Sequence, residues 1–163
     1  MKKVLLLVFA FVFLFSLMSC DPSFYYFEEN YLLENTVKIE LYDYQNDSPR
    51  IIKRSEEKPV FDFSKATLIA TADETRFEEI LTELNSMGYG RYATSANAPV
   101  GKTLVLHQKD GTMIVLFGCR AKNEKGRNTF WGNCLLFDEN CIFLDYFGET
   151  YGNFAADMSV YFE

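Results

Sequence analysis

The sequence predicts an α+β domain: an antiparallel sheet of about five strands with one long and one or two short helices packed on it. Three observations carry that expectation. One segment repeats apolar residues at helical spacing, several short segments alternate or run apolar, and an Asp-Gly dipeptide sits between two of them.

In chain order, FYYFEENYLLEN predicts a short helix with Phe24, Phe27, Tyr31 and Leu32 on one side. TVKIELYDY alternates as a half-buried strand does, placing Val37, Ile39 and Leu41 inward and Lys38, Glu40 and Tyr42 outward. A polar connection follows, with strand character at Ile51 and Ile52, and then a strand near Ala66 to Ala70. The long helix is expected from Ala72 to Met87, where Phe77, Ile80, Leu81, Leu84 and Met87 share a face. Thr71 and Glu74 fit a capping box with Asp73 as a competing cap, and Gly88 suits the position past the end. GYGRYATSANAPVG reads as a loop. Two hairpins come next, TLVLHQ and TMIVLFGC around KDG, then TFWGNCLLF and CIFLDYF around DEN. Asn153 to Phe162 reads as a closing helix with Phe154, Met158 and Tyr161 inward. There is no internal repeat and no low-complexity linker.

The chain opens with Lys2 and Lys3 and continues VLLLVFAFVFLFSLM without a charge. That run has the length of a signal-peptide core and falls short of the ~20 residues that cross a bilayer comfortably. Leu17, Met18, Ser19 and Cys20 resemble the lipobox of the bacterial lipoprotein signal, with Met18 bulkier than the residue usual at its position. The resemblance covers only the first 20 residues. It implies cleavage before Cys20 and a diacylglyceryl thioether on its sulfur, and so a protein on the outer side of the cytoplasmic membrane. Each buried methylene contributes ~0.8 kcal/mol, and two acyl chains hold where one holds marginally. The expected division is residues 1–19 as signal peptide, 20–27 as lipid-anchored tether and 28–163 as a single domain. The aromatics of FYYF have two readings, at head-group depth beside the anchor or in the first helix's buried face.

The 163 residues carry a net charge of −7, and the leader contains two lysines and no acid, so the mature chain is more acidic still. Such a balance argues against nucleic acid as a partner. The second hairpin places Cys134 and Cys141 too far apart to bridge, and Cys119 is expected near Thr129, so no disulfide is predicted. With one histidine and no C-x₂₋₄-C pair, neither a metal site nor a cofactor is expected.

His107 is that histidine. A two-residue Asp110-Gly111 turn pairs it with Ile114, on the face bearing Val105 and Leu116, where it reads as structural. The acids of FEEN, SEEK, FEEI and DEN read as solvated faces and turns. Arg120, Lys122, Lys125 and Arg127 gather in one loop of an acidic chain, a candidate contact for phosphate head groups, an anionic wall polymer or a partner, against the plainer reading of a solvated connection. CLLF and CIFL are apolar on both faces, so the second face is covered by further chain or presented to a partner.

Two functions are therefore weighed. The first is a membrane-anchored binding or interaction module without chemistry of its own, whose partner is another envelope protein or an anionic group. It predicts an apolar surface patch and no convergent titratable cluster. The second is a small envelope hydrolase using the 88–101 loop and His107, which requires a nucleophile beside the imidazole. Ser95 is the loop's only serine.

Overall fold

The structure is a computed structural model. It describes residues 24–45, 51–53, 61–90, 95–97, 101–122, 128–151 and 161–162, with only the backbone given for 51–53, 95–97, 118–122, 128–132 and 149–151. The strands are β1 (Phe24–Tyr25), β2 (Thr36–Tyr44), β3 (Ile51–Lys53), β4 (Ala66–Thr71), β5 (Tyr89–Gly90), β6 (Ser95–Asn97), β7 (Gly101–Gln108), β8 (Met113–Lys122), β9 (Asn128–Phe137) and β10 (Phe143–Tyr151). The helices are α1 (Tyr31–Asn35) and α2 (Phe77–Ser86).

Eight strands form one antiparallel sheet in the order β1-β5-β10-β9-β8-β7-β2-β4, and β3 pairs with β6 separately. The expected α+β class is found. The expected strands are found as β2, β4, β7, β8, β9 and β10, and β5 and β1 extend the sheet beyond them. β7 to β10 run as a meander, because the connections span only a few residues, too few for a parallel crossover.

Both faces of this sheet are covered. On the first, Ile80, Leu81 and Leu84 of α2 and Leu32 of α1 pack on Ile39, Leu104, Leu106, Ile114, Leu116 and Cys134. On the second, Phe61 and Phe63 lie over Tyr42, Tyr44, Val105, Val115, Phe117, Leu135 and Phe137. That second layer is a short segment of irregular chain, tied down where Phe61 N donates to Cys141 O at 2.9 Å and Asp62 N to the Tyr44 hydroxyl at 3.3 Å. It accounts for the doubly apolar CLLF. A further stretch of chain covers the other face.

It also corrects the reading of β2. Glu40 and Tyr42, expected in solvent, are buried, because their face meets the second layer. Val37, expected inward, is exposed, since the β2–β7 register slips between Thr36 and Lys38 and leaves it unopposed.

The first hairpin departs by one residue from the two-residue turn. Gln108 N donates to Thr112 O at 2.8 Å, so three residues form the loop, and Gly111 takes a left-handed φ of 87° that a side chain would strain. Asp110 holds the loop by accepting from Thr112 N and Oγ1. The shift sets His107 opposite Met113 instead of Ile114, on the face of Val115 and Phe117 rather than Leu116. In the second hairpin, Asp138 accepts from Asn140 N and Ile142 N. Near the far end of β10, Gly148 is required for close approach: a Cβ there would lie 2.7 Å from the Tyr89 carbonyl carbon.

At the start of the described chain, Phe24 and Tyr25 form β1, paired with Gly90 and Tyr89, where a helix was expected. The strand alternates, so Tyr25 and Phe27 pack on the helix-side core while Phe24 and Tyr26 are left exposed. Only Tyr31–Asn35 is helical, braced by Asn85, which accepts from Leu32 N and donates to Glu28 O. α2 begins later than expected. Thr71 closes β4, and Asp73 caps a 3₁₀ turn by accepting from Thr75 N at 2.9 Å, so the competing cap prevails. Past the helix, Met87 is extended, and Gly88 serves instead to let the Tyr26 ring approach to 3.0 Å of where a Cβ would stand. Tyr89 and Gly90 form β5 inside the expected loop. Residues 153–160 of the expected closing helix lie outside the described residues, while Tyr161 and Phe162 are half-buried against the helix-side core.

Candidate functional site

The titratable groups that converge in this structure do so around Glu40. Lys38, Glu40 and Tyr42 alternate along β2 and so project on one face, and β7 brings His107 diagonally across from Glu40 through the pairs Lys38 with His107 and Glu40 with Val105. One carboxylate oxygen, Oε1, accepts from Lys38 Nζ at 2.6 Å. The other, Oε2, accepts from the Tyr42 hydroxyl at 2.9 Å and from His107 Nε2 at 2.7 Å. The Glu40 side chain is 5% exposed, that of His107 27% and that of Lys38 49%. A buried acid thus sits beneath two cations or donors that reach water.

The electrostatics follow from that arrangement. Burial alone raises the Glu40 carboxyl, but the hydrogen bonds from Lys38, Tyr42 and His107 together outweigh it and hold the group below the usual carboxylate range. Tyr42 pays in the opposite sense. Burial first, then its bond to the Glu40 carboxylate, pushes its hydroxyl up to about 12, which keeps it a hydrogen-bond donor and a poor nucleophile. Because an ionised carboxylate only accepts, Nε2 carries a proton, and in the neutral ring Nδ1 is then the free base. No described residue hydrogen-bonds Nδ1.

This cluster corrects two expectations, that Glu40 faces solvent and that no convergent titratable cluster exists. Its signal was present in the K-x-E-x-Y spacing of residues 38–42, which sets two donors on either side of one acid along a strand face. A single-layer sheet would put that face in water; the second layer over it buries the acid instead. The acids of FEEI, by contrast, do lie on the exposed side of α2.

The other sequence candidates lie apart from the cluster. Arg120 and Lys122 end β8, with their side chains outside the described residues, as Lys125, Arg127 and Cys20 are entirely. Ser95 is described in backbone only, within β6. Cys134 is fully buried on the helix side and Cys141 lies against the second core, so the sheet separates two free thiols, and burial raises both. The backbone of Cys119 lies opposite Trp131, two positions from the expected Thr129. Among the described residues no three His, Cys, Asp or Glu side chains are placed to hold a metal ion.

A second feature is an edge. Among the described residues β4 pairs only with β2, and no described strand lies along its other side. Its sequence, ATLIAT, has no charge, proline or glycine, and Leu68 and Ile69 are 49% and 50% exposed. Proteins usually protect such edges with charge or proline. The slip in register between Leu41 and Tyr42, which leaves Ile69 unopposed, is the one protective device at this strand.

Comparison with known proteins returns no match to any family model, curated protein or solved structure.

Proposed function

We propose that this protein is a lipid-anchored module of the bacterial envelope, held by Cys20 on the outer face of the cytoplasmic membrane, that engages a partner through its sheet edge and carries out no chemistry itself. The observation that carries the reading is the β4 edge, open among the described residues, where an extended segment of an envelope protein can add by main-chain hydrogen bonding while exposed Leu68 and Ile69 supply apolar contact. Support for the address comes from the leader and lipobox of residues 1–20. The basic residues Arg120, Lys122, Lys125 and Arg127 offer a separate contact for an anionic group.

The test has two arms in cells producing the full-length protein. Cys20→Ala moves the protein from the membrane fraction to the soluble one; continued sedimentation with membranes counts against the anchor. A photo-crosslinking residue at exposed Thr67 gives a discrete adduct in the wild-type background that Ile69→Lys abolishes. An adduct unchanged by Ile69→Lys removes the edge from the proposal.

One observation favours the hydrolase as a second reading. Glu40 orients the His107 imidazole and leaves Nδ1 as a base, which is two members of a nucleophile-activating triad. The nucleophile would have to come from chain outside the described residues, since no described hydroxyl or thiol bonds the ring. Reaction of the intact protein with a fluorophosphonate probe, lost in His107→Ala, would support this reading over the first.

A further inference from the structure

The two edges of the main sheet are unlike, and the anchor belongs to one of them. β1 stands at one end of the strand order and β4 at the other, seven strand spacings away, or about 34 Å at ~4.8 Å per strand. Only Asp21, Pro22 and Ser23 separate Cys20 from Phe24, a reach of at most ~14 Å even fully extended. A lipid on Cys20 therefore keeps the β1 edge within a few ångströms to a little over a nanometre of the acyl chains. β4 lies beyond that reach.

The β1 edge is suited to that neighbourhood. Strand alternation turns Tyr25 and Phe27 into the core and leaves Phe24 41% and Tyr26 59% exposed, their ring centroids 6.3 Å apart. Tyr26 is seated by the missing side chain of Gly88, whose Cβ would meet the ring at 3.0 Å. The seat holds the ring in place while its outer side stays open to the surroundings. The Tyr26 ring, apolar in its body and polar at its hydroxyl, suits the membrane–water boundary, and Phe24 beside it adds wholly apolar area that can enter the acyl edge.

We propose that Phe24 and Tyr26 are an interfacial foot, set at the lipid head groups, on which the domain stands with its β1 edge down and its β4 edge presented outward. This rests on the lipid anchor at Cys20. The foot converts a flexible tether into an orientation, and it aims the open strand away from the bilayer toward other proteins.

The experiment uses the full-length lipidated protein reconstituted in phosphatidylcholine–phosphatidylglycerol vesicles, with lipids brominated near the head-group end of the acyl chains as quenchers. Three variants, Phe24→Trp, Tyr26→Trp and Leu68→Trp, are each read as difference emission against the parent chain, whose one tryptophan is Trp131. All three sites are exposed, so the substitutions leave the core intact. Emission from positions 24 and 26 should fall at least twofold with brominated lipid and that from position 68 should not change. Equal quenching at all three, or quenching at 68 alone, overturns the proposal. The mass of the N-terminal peptide separates the two failures. A lipidated peptide with unquenched positions 24 and 26 overturns the foot and leaves the anchor, while an unlipidated peptide overturns both.

Discussion

The two faces of the central sheet are covered by different kinds of material. On one side, two helices press aliphatic side chains onto Ile39, Leu104, Leu106, Ile114 and Leu116. On the other, an irregular segment lays Phe61 and Phe63 onto tyrosines and phenylalanines, ring on ring, with Phe61 4.6 Å from Phe63 and 5.1 Å from Tyr44. Among the described residues the helix side contains no buried charge, whereas the aromatic side contains Glu40. The difference teaches that a cover without regular structure can still build a core. Large rings bury much area per residue, so a few residues of chain suffice where the helix side uses three turns.

That equivalence can be broken most directly by truncation. Leu84→Ala on the helix side should cost about 2–5 kcal/mol and Phe61→Ala on the aromatic side about 3–5 kcal/mol, read as shifts in the urea unfolding midpoint at unchanged slope. A loss below about 1 kcal/mol for Phe61→Ala would mean that the segment merely rests on the sheet. Then only the helix side would count as core.

The buried charge sharpens the comparison further. Glu40→Gln removes an acceptor that three donors share, and an effect of about 1–3 kcal/mol is expected at neutral pH, discounted because Lys38 and His107 reach solvent. The pH dependence has a definite sign. The folded Glu40 carboxyl lies below its ordinary value of 4.5, so its contribution is fully present above that value and is lost as the pH falls through the lowered folded one. Wild type should therefore lose its advantage over Glu40→Gln on acidification from pH 5 to pH 3, measured by urea titration at each pH. A stability difference that stayed constant across that range would show that the carboxylate is not held by its donors.

The helix side was the legible one. Phe77, Ile80, Leu81 and Leu84 fall at helical spacing within a few residues, and TVKIELYDY marks β2 at the bounds the structure has, because those signals are local. The aromatic side depends on contacts distant in sequence. FDF at residues 61–63 carries no period, and only its meeting with Tyr42, Tyr44 and Phe137 makes it a layer. For the same reason Glu40 was assigned to solvent, and the site built on it was missed. His107 was placed on the right strand, but a one-residue difference in loop length at Lys109–Gly111 changed its partner and its face. Such register is set by Gly111 taking a left-handed φ within a three-residue loop, and the same Asp-Gly pair serves two loop lengths equally well.

The smallest of the expected effects tests how far local signals can be trusted even on the legible side. Thr71 and Asp73 both have the chemistry of an N-cap, and they differ in what the preceding strand allows. β4 keeps Thr71 extended and opposite Glu40, short of the helix start, while Asp73 lies beyond the strand and turns its carboxylate onto Thr75 N and Oγ1. Those two bonds draw the Asp73 carboxyl below its ordinary range. Asp73→Ala should therefore lower the urea midpoint measurably, while Thr71→Ala leaves it nearly unchanged. The reverse order would return the capping role to Thr71 and would require β4 to end sooner, releasing its last rung from β2.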